Sequence, residues 1–125
     1  MLDIKNYTKK KPGISVSVFT NITDAVLGEK YDASLVFVGD TRSQSLNKKY
    51  RNKSYIPNVL SFPLDKENGE IFINLKQAEK ESKEHGVPYK KYVGLLFIHG
   101  CLHLKGLDHG KKMDGLEDKY LKKFF

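Results

Sequence analysis

The sequence predicts a single small α+β domain: a mixed sheet of about four strands packed with helices, with a histidine cluster on a buried helix and the turn after it. Three observations point there. Short apolar runs of strand character, residues 33–39 (ASLVFVG), 59–64 (VLSFPL) and 70–75 (EIFINL), alternate with longer amphipathic stretches. The chain has 125 residues, too few for two independent cores, so one domain spans 1–125. Seven Phe and seven Tyr in a composition that is 39% hydrophobic supply the core mass that a disordered chain lacks.

Taken in order, residues 1–13 carry Lys5, Lys9, Lys10 and Lys11 before Pro12 and Gly13, and predict a short edge strand and a loop. Residues 14–28 fit two periods. Ile14, Val16 and Val18 alternate as in a strand, whereas Ile14, Val18, Ile22 and Ala25 share a helix face that Gly28 would end. The β-branched run 33–39 suits a strand buried on both faces. Asp40 and Thr41 offer caps for a helix that runs to about Tyr50, and Pro57 breaks the pattern. The runs 59–64 and 70–75 flank DKENG, a polar turn ending in Gly69, and predict an antiparallel hairpin. A polar helix follows to Gly86, then a buried one from Tyr89 to Gly106, then an amphipathic one from Asp114 with Leu116, Tyr120 and Phe124 on one face.

No apolar run approaches the roughly 20 residues that span a bilayer, and the first residues have no signal-peptide character. The single cysteine, Cys101, fits a reducing compartment, so a cytoplasmic location is expected. Lys and Arg number 22 against 15 Asp and Glu, a formal charge of +7 with pI near 9.4. That excess favours a polyanionic partner. It is most one-sided between Thr41 and Leu64, where Arg42, Lys48, Lys49, Arg51 and Lys53 stand with no acidic residue.

Three of the four histidines fall in one segment, His99-Gly-Cys-Leu-His103-Leu-Lys-Gly106-Leu-Asp108-His109. On a helix, residues four apart lie one above the other, so His99 and His103 can reach one ion. Gly106 can adopt the left-handed conformation that turns the chain back, which brings His109 to the same ion. Three neutral nitrogens leave a fourth tetrahedral position for water, and imidazole ligands favour zinc, one ion per chain. The spacing is that of the long zinc-protease motif HExxHxxGxxH, but position 100 is Gly, so the protease's general base is missing. Cys101 lies about 200° around the helix from His99 and belongs to the core. His85, in the polar helix, lies outside the site.

The segment HGCLHLKGLDH resembles the HGxLHLxGyDH signature of the YbeY family of single-domain bacterial endoribonucleases, the rRNA maturation factors. Upstream, Leu46-Asn47-Lys48-Lys49-Tyr50-Arg51-Asn52-Lys53 and Val59-Leu60-Ser61-Phe62-Pro63 match the family's LNxxYRxK and VLSFP blocks, and Gly69-Glu70-Ile71 stands for its GDI. Three departures stand out: Asn58 where the family has an acid, Glu70 in GDI, and Leu107 for the tyrosine before the last Asp-His.

The resemblance implies a zinc-dependent, single-strand-specific endoribonuclease acting in 16S rRNA 3′-end maturation and ribosome quality control. It makes His99, His103 and His109 the zinc ligands and Arg51 the functional arginine of the cleft. Its partners would be single-stranded or ribosomal RNA and ribosomal subunit proteins, with no membrane. A guanidinium suits the arginine's role on its own chemistry, because it makes paired, charge-assisted hydrogen bonds to phosphate oxygens. Lys48, Lys49 and Lys53 would extend the phosphate track. Asp108 either holds a histidine ring or caps the turn, and Ser61 either contacts substrate or is a buried strand serine. Two other functions use the same residues: a ribosome-associated RNA-binding factor with a mainly structural metal, and a zinc hydrolase of another substrate such as a peptide.

Overall fold

A computed structural model describes residues Met1–Phe125. In chain order the elements are β1 (Leu2–Asn6), α1 (Val16–Leu27), β2 (Asp32–Val38), α2 (Asp40–Arg51), β3 (Val59–Pro63), β4 (Asn68–Asn74), α3 (Leu75–His85), α4 (Tyr89–Leu104) and α5 (Lys111–Phe124). The four strands form one mixed sheet in the order β1-β2-β4-β3, with β3 alone antiparallel to its neighbour. This is the expected α+β architecture.

The register assigns each strand residue to a face. Ile4, Leu35, Ile71 and Ser61 form one row across the sheet, and Phe37, Ile73 and Val59 lie on the same face. That face meets α1 and α4, where Phe19 packs edge-on against Phe97 at 5.0 Å and tilts against Phe37 at 5.9 Å. The opposite face carries Lys5, Val36, Phe72 and Leu60 in one row, and α2 covers its β3–β4 end through Leu46 and the Tyr50 ring, which lies 5.4 Å from Phe62. Burial on both sides explains why β2 reads as a continuous apolar run: Leu35, Val36, Phe37 and Val38 are all buried.

Several local expectations are settled or corrected. Residues 16–27 are helical: Ser15 Oγ accepts from Val18 N, and Phe19, Ile22 and Val26 face the core while Val16 is exposed, as alternation would not allow. The cap of α2 is Gly39, not Asp40 or Thr41, because β2 runs into the helix with no linker. Gly69 is not a turn residue. It lies inside β4, where a side chain would stand 2.4 Å from the Tyr31 hydroxyl and 2.7 Å from Leu104, so glycine serves a close approach. The turn is made instead by Asp65, whose carboxylate accepts from Glu67 N and Asn68 Nδ2. Helix α5 begins three residues before Asp114, anchored by the buried Met113.

Asp40 ties two elements together. Its carboxylate accepts from Asn74 Nδ2 at 2.8 Å and Gln77 Nε2 at 3.1 Å, and Lys76 Nζ lies 3.3 Å away. These partners, Asn74 first, hold the carboxyl below the usual carboxylate range. A carboxyl with a lowered native value adds stability above its unfolded pKa, near 4, and loses it as pH falls through the native value. Asp40→Asn should therefore be less stable than the parent at pH 7, with the difference closing as pH drops below about 4. Urea unfolding at stepped pH measures this, and a constant difference across the range would contradict it.

Candidate metal centre and its cleft

Helix α4 is apolar almost all round, with ten of its sixteen residues buried, and His99 and His103 emerge at its one half-exposed flank. The flank opens because the helix lies hard against the sheet on the other side. A Cβ on Gly100 would stand 3.0 Å from both Ile71 Cγ2 and Ser61 Oγ, and Ser61 Oγ donates to the Gly100 carbonyl at 3.1 Å. Position 100 therefore faces β3 and β4, with no room for the glutamate of a zinc protease.

The helix ends in a glycine motif that builds the rest of the cluster. Gly106, at φ +99°, turns the chain, with Gly106 N bonded to the His103 carbonyl and Leu107 N to that of Leu102. The turn aims the Leu107 carbonyl at the ring it has just passed: His103 Nδ1 donates to it at 2.9 Å. Two residues on, His109 meets the other two rings, with centroids 5.1 Å from His99 and 4.9 Å from His103. One nitrogen from each of the three lies within 4.8 Å of the others. This is the juxtaposition that the spacing predicts.

His99 is held by a residue the sequence did not single out. Its Nδ1 donates to Glu117 Oε1 on α5, a half-buried carboxylate. The signal for it was present, because Glu117 lies four residues after the buried Met113 and so on the inward face of an amphipathic helix, where an acid has a partner. Asp108, for which the sequence leaves open a ring contact or a turn cap, is exposed and makes no hydrogen bond to a ring.

Donation from Nδ1 fixes the tautomer of both rings and leaves each Nε2 a bare lone pair. Those two Nε2 atoms face each other 3.0 Å apart. Burial, and then the neighbouring His99, push His103 below the usual imidazole range, so its neutral, ligating form is favoured. Two lone pairs at that distance repel unless a cation lies between them. The tetrahedral edge of a zinc site with bonds of 2.0–2.1 Å is about 3.3 Å, so the donor set fits zinc after a small relaxation.

The rings line a cleft of about 540 Å³ whose other walls include Ser61, Asn58, Arg51 and Tyr55, and no carboxylate. Arg51 is the last residue of α2. Its one side-chain bond runs to the Tyr55 hydroxyl at 3.1 Å, and no acid pairs with it. Lys48, Lys49 and Lys53 are exposed but stand outside the cleft wall, Lys49 over the Tyr50 ring. Ser61 both lines the cleft and bonds to α4. Cys101 is fully buried and its thiol is pushed up by that burial, while exposed His85 stacks on Tyr92 away from the cluster.

The three departures have structural answers. Asn58 Nδ2 donates to Glu81 Oε1 at 2.8 Å, the same oxygen that accepts from the Tyr92 hydroxyl at 2.7 Å, so an acid at 58 would oppose a carboxylate. Burial and Glu81 together push the Tyr92 hydroxyl well up. Glu70 points to the sheet face opposite the histidines. Leu107 contributes its carbonyl, which any residue supplies.

The sequence pattern of the family Endoribonuclease YbeY matches residues 4–124. The Endoribonuclease YbeY of Mycoplasma mycoides subsp. mycoides SC is 37% identical over an alignment covering 73% of this chain and 65% of that protein. The chain thus matches just under two thirds of that relative's length. The Endoribonuclease YbeY of Phytoplasma mali is 36% identical, with 90% of this chain and 84% of the relative covered. The solution structure of TM1509 from Thermotoga maritima superposes with a TM-score of 0.72 over 99% of this chain and 89% of that one, at 23% identity, which shows a shared fold. Since the family pattern matches from the first strand to the last helix, the chain belongs to the Endoribonuclease YbeY family.

Proposed function

We propose that this protein is a zinc-dependent endoribonuclease that cuts single-stranded RNA, acting in rRNA maturation. The observation that carries the reading is the pair of Nε2 lone pairs 3.0 Å apart, oriented by Glu117 and the Leu107 carbonyl, in a cleft that also contains an arginine without an acidic partner. His99, His103 and His109 would hold the ion. When bound, zinc supplies Lewis-acid polarisation of a phosphate and lowers the pKa of a water. Arg51 binds a phosphate oxygen by charge-assisted hydrogen bonds and stabilises charge that grows there.

The walls suit a polyanion. No carboxylate lines the cleft to repel phosphate, and Glu117 is occupied by His99, so proton removal falls to solvent or to the RNA itself. A volume of about 540 Å³ is in the range that takes one small ligand, enough for a single nucleotide. Exposed Lys48, Lys49 and Lys53 extend the positive surface beyond the cleft and would add salt-dependent affinity. Peptide hydrolysis by the zinc-protease route lacks its base, because position 100 faces Ile71 and Ser61. Family resemblance extends the reading to 16S rRNA 3′ ends, ribosome quality control and ribosomal subunit proteins as partners. A cytoplasmic location is supported by the buried free thiol of Cys101. No helix is long and apolar enough to cross a membrane.

The 21 buried hydrophobic residues of the core pack against one another over the sheet and its helices, so the fold is expected to persist when the ion is removed. Chelation, or His103→Ala, should abolish cleavage of single-stranded RNA while circular dichroism keeps its native form. Unchanged cleavage by rigorously purified His103→Ala protein would overturn the reading, and unfolding on chelation would favour a structural metal. Glu117→Ala should weaken zinc binding roughly 10- to 100-fold in a competition titration, since the His99 ring loses the group that orients it. Arg51→Ala should lower kcat/KM by about 10- to 100-fold with metal content unchanged, the size of one lost charged hydrogen bond of about 1.5–3 kcal/mol.

A further inference from the structure

The segment between α2 and β3, residues 52–58, has no regular structure, yet three of its carbonyls are fastened to the helix before it. Ser43 Oγ donates to the Pro57 carbonyl at 2.8 Å, Gln44 Nε2 to that of Ser54 at 2.8 Å, and Asn47 Nδ2 to that of Tyr55 at 3.0 Å. Ser43 and Asn47 are buried and one turn apart, so α2 grips the loop along one edge. Asn52 enters the loop in the left-handed conformation, at φ +56°.

On this held backbone Tyr55 is 53% exposed and lines the cleft of the three histidines. Its hydroxyl accepts a hydrogen bond from the Arg51 guanidinium at 3.1 Å. An aromatic face on a rigid backbone, joined to an arginine in the acid-free stretch, has the two parts that hold single-stranded nucleic acid. Rings stack bases, and cations take phosphates.

We propose that Tyr55 forms a nucleobase subsite, which stacks one unpaired base of the RNA next to the phosphate held by Arg51. The proposal deepens the endoribonuclease reading and rests on it. In a duplex each base face is covered by its neighbours, so the subsite admits single strands and adds to the choice between the two. The ring supplies the stacking surface, and the hydroxyl orients the guanidinium. The two roles separate in Tyr55→Phe and Tyr55→Leu.

The test uses the full chain freed of zinc, so that RNA is bound and not cut, and short single-stranded oligoribonucleotides with 2-aminopurine placed at each position in turn. For the native protein, fluorescence at one position should be quenched on binding. Tyr55→Leu should lose that quench and bind roughly 5- to 100-fold more weakly, the range of one base–aromatic stack. Tyr55→Phe should keep the quench, because the ring remains, and weaken binding by only a few-fold, less than Tyr55→Leu, through the partner that the Arg51 guanidinium loses. An abasic residue at the quenched position should weaken the native protein and leave Tyr55→Leu unchanged. Equal affinity and equal quench for native and Tyr55→Leu, in a protein whose zinc form cleaves RNA, would overturn the subsite and leave the nuclease standing. Failure of the native protein to bind or cleave single-stranded RNA would overturn both.

Discussion

At Gly100 the backbone of α4 comes so close to β3 and β4 that a methyl group would stand 3.0 Å from Ile71 Cγ2 and from Ser61 Oγ. The histidine wall of the cleft depends on that approach. It lets a helix whose surface is nearly all apolar bury ten residues, while the flank with His99 and His103 stays at the edge of β3. The Ser61 hydrogen bond to the Gly100 carbonyl fixes the helix one residue from His99, so the first ring is placed by the sheet and not by its own length of side chain. A methyl group at 100 would require Ile71 or Ser61 to give by a few tenths of an ångström, and a bulky side chain would push α4 from the sheet and carry both rings with it.

The second dependence is electrostatic. Two neutral imidazoles whose Nε2 atoms face each other are an unfavourable pair, and the structure accepts it because both Nδ1 atoms have strong acceptors behind them. One acceptor, Glu117, comes from the last helix and the other, the Leu107 carbonyl, from the turn that ends α4. Chain segments on both sides of His109 therefore converge on the same pair of rings. The cleft also has its own charge selectivity: its wall contains Arg51 and no acid, while Glu70 lies on the other sheet face and Glu81 sits behind Asn58.

What was legible in the sequence follows from how each feature is encoded. The strands, the buried helix and the three-histidine cluster depend on periodicity and fixed spacing, which are local, and they lie where expected. The boundaries that moved depend on neighbours far along the chain. Gly69 looks like a turn glycine until Tyr31 and Leu104 are seen to fill the space where its side chain would be, and Asp40 looks like a cap until Asn74 and Gln77 bind it. The same holds in the site. The ligand spacing is visible in eleven residues, but the carboxylate that orients His99 lies 18 residues on, and the local candidate, Asp108, faces solvent.

The loop at 52–58 shows why such a site needs more than its reacting groups. Exposed irregular segments ordinarily sample many conformations, and an arginine or an aromatic ring at the edge of one would meet a ligand only after ordering it. Here Ser43, Gln44 and Asn47 supply the order in advance from the face of α2, and none of them reaches the cleft. Arg51 ends that same helix, so the guanidinium and the loop share one rigid support. The α2 clamp on one wall and the Gly100–Ser61 contact on the other are joined through β3, which Pro57 and Asn58 lead into and on which Ser61 sits. The spacing between the backbone that carries the arginine and the backbone that carries the histidines is therefore set by packing, before any ligand arrives.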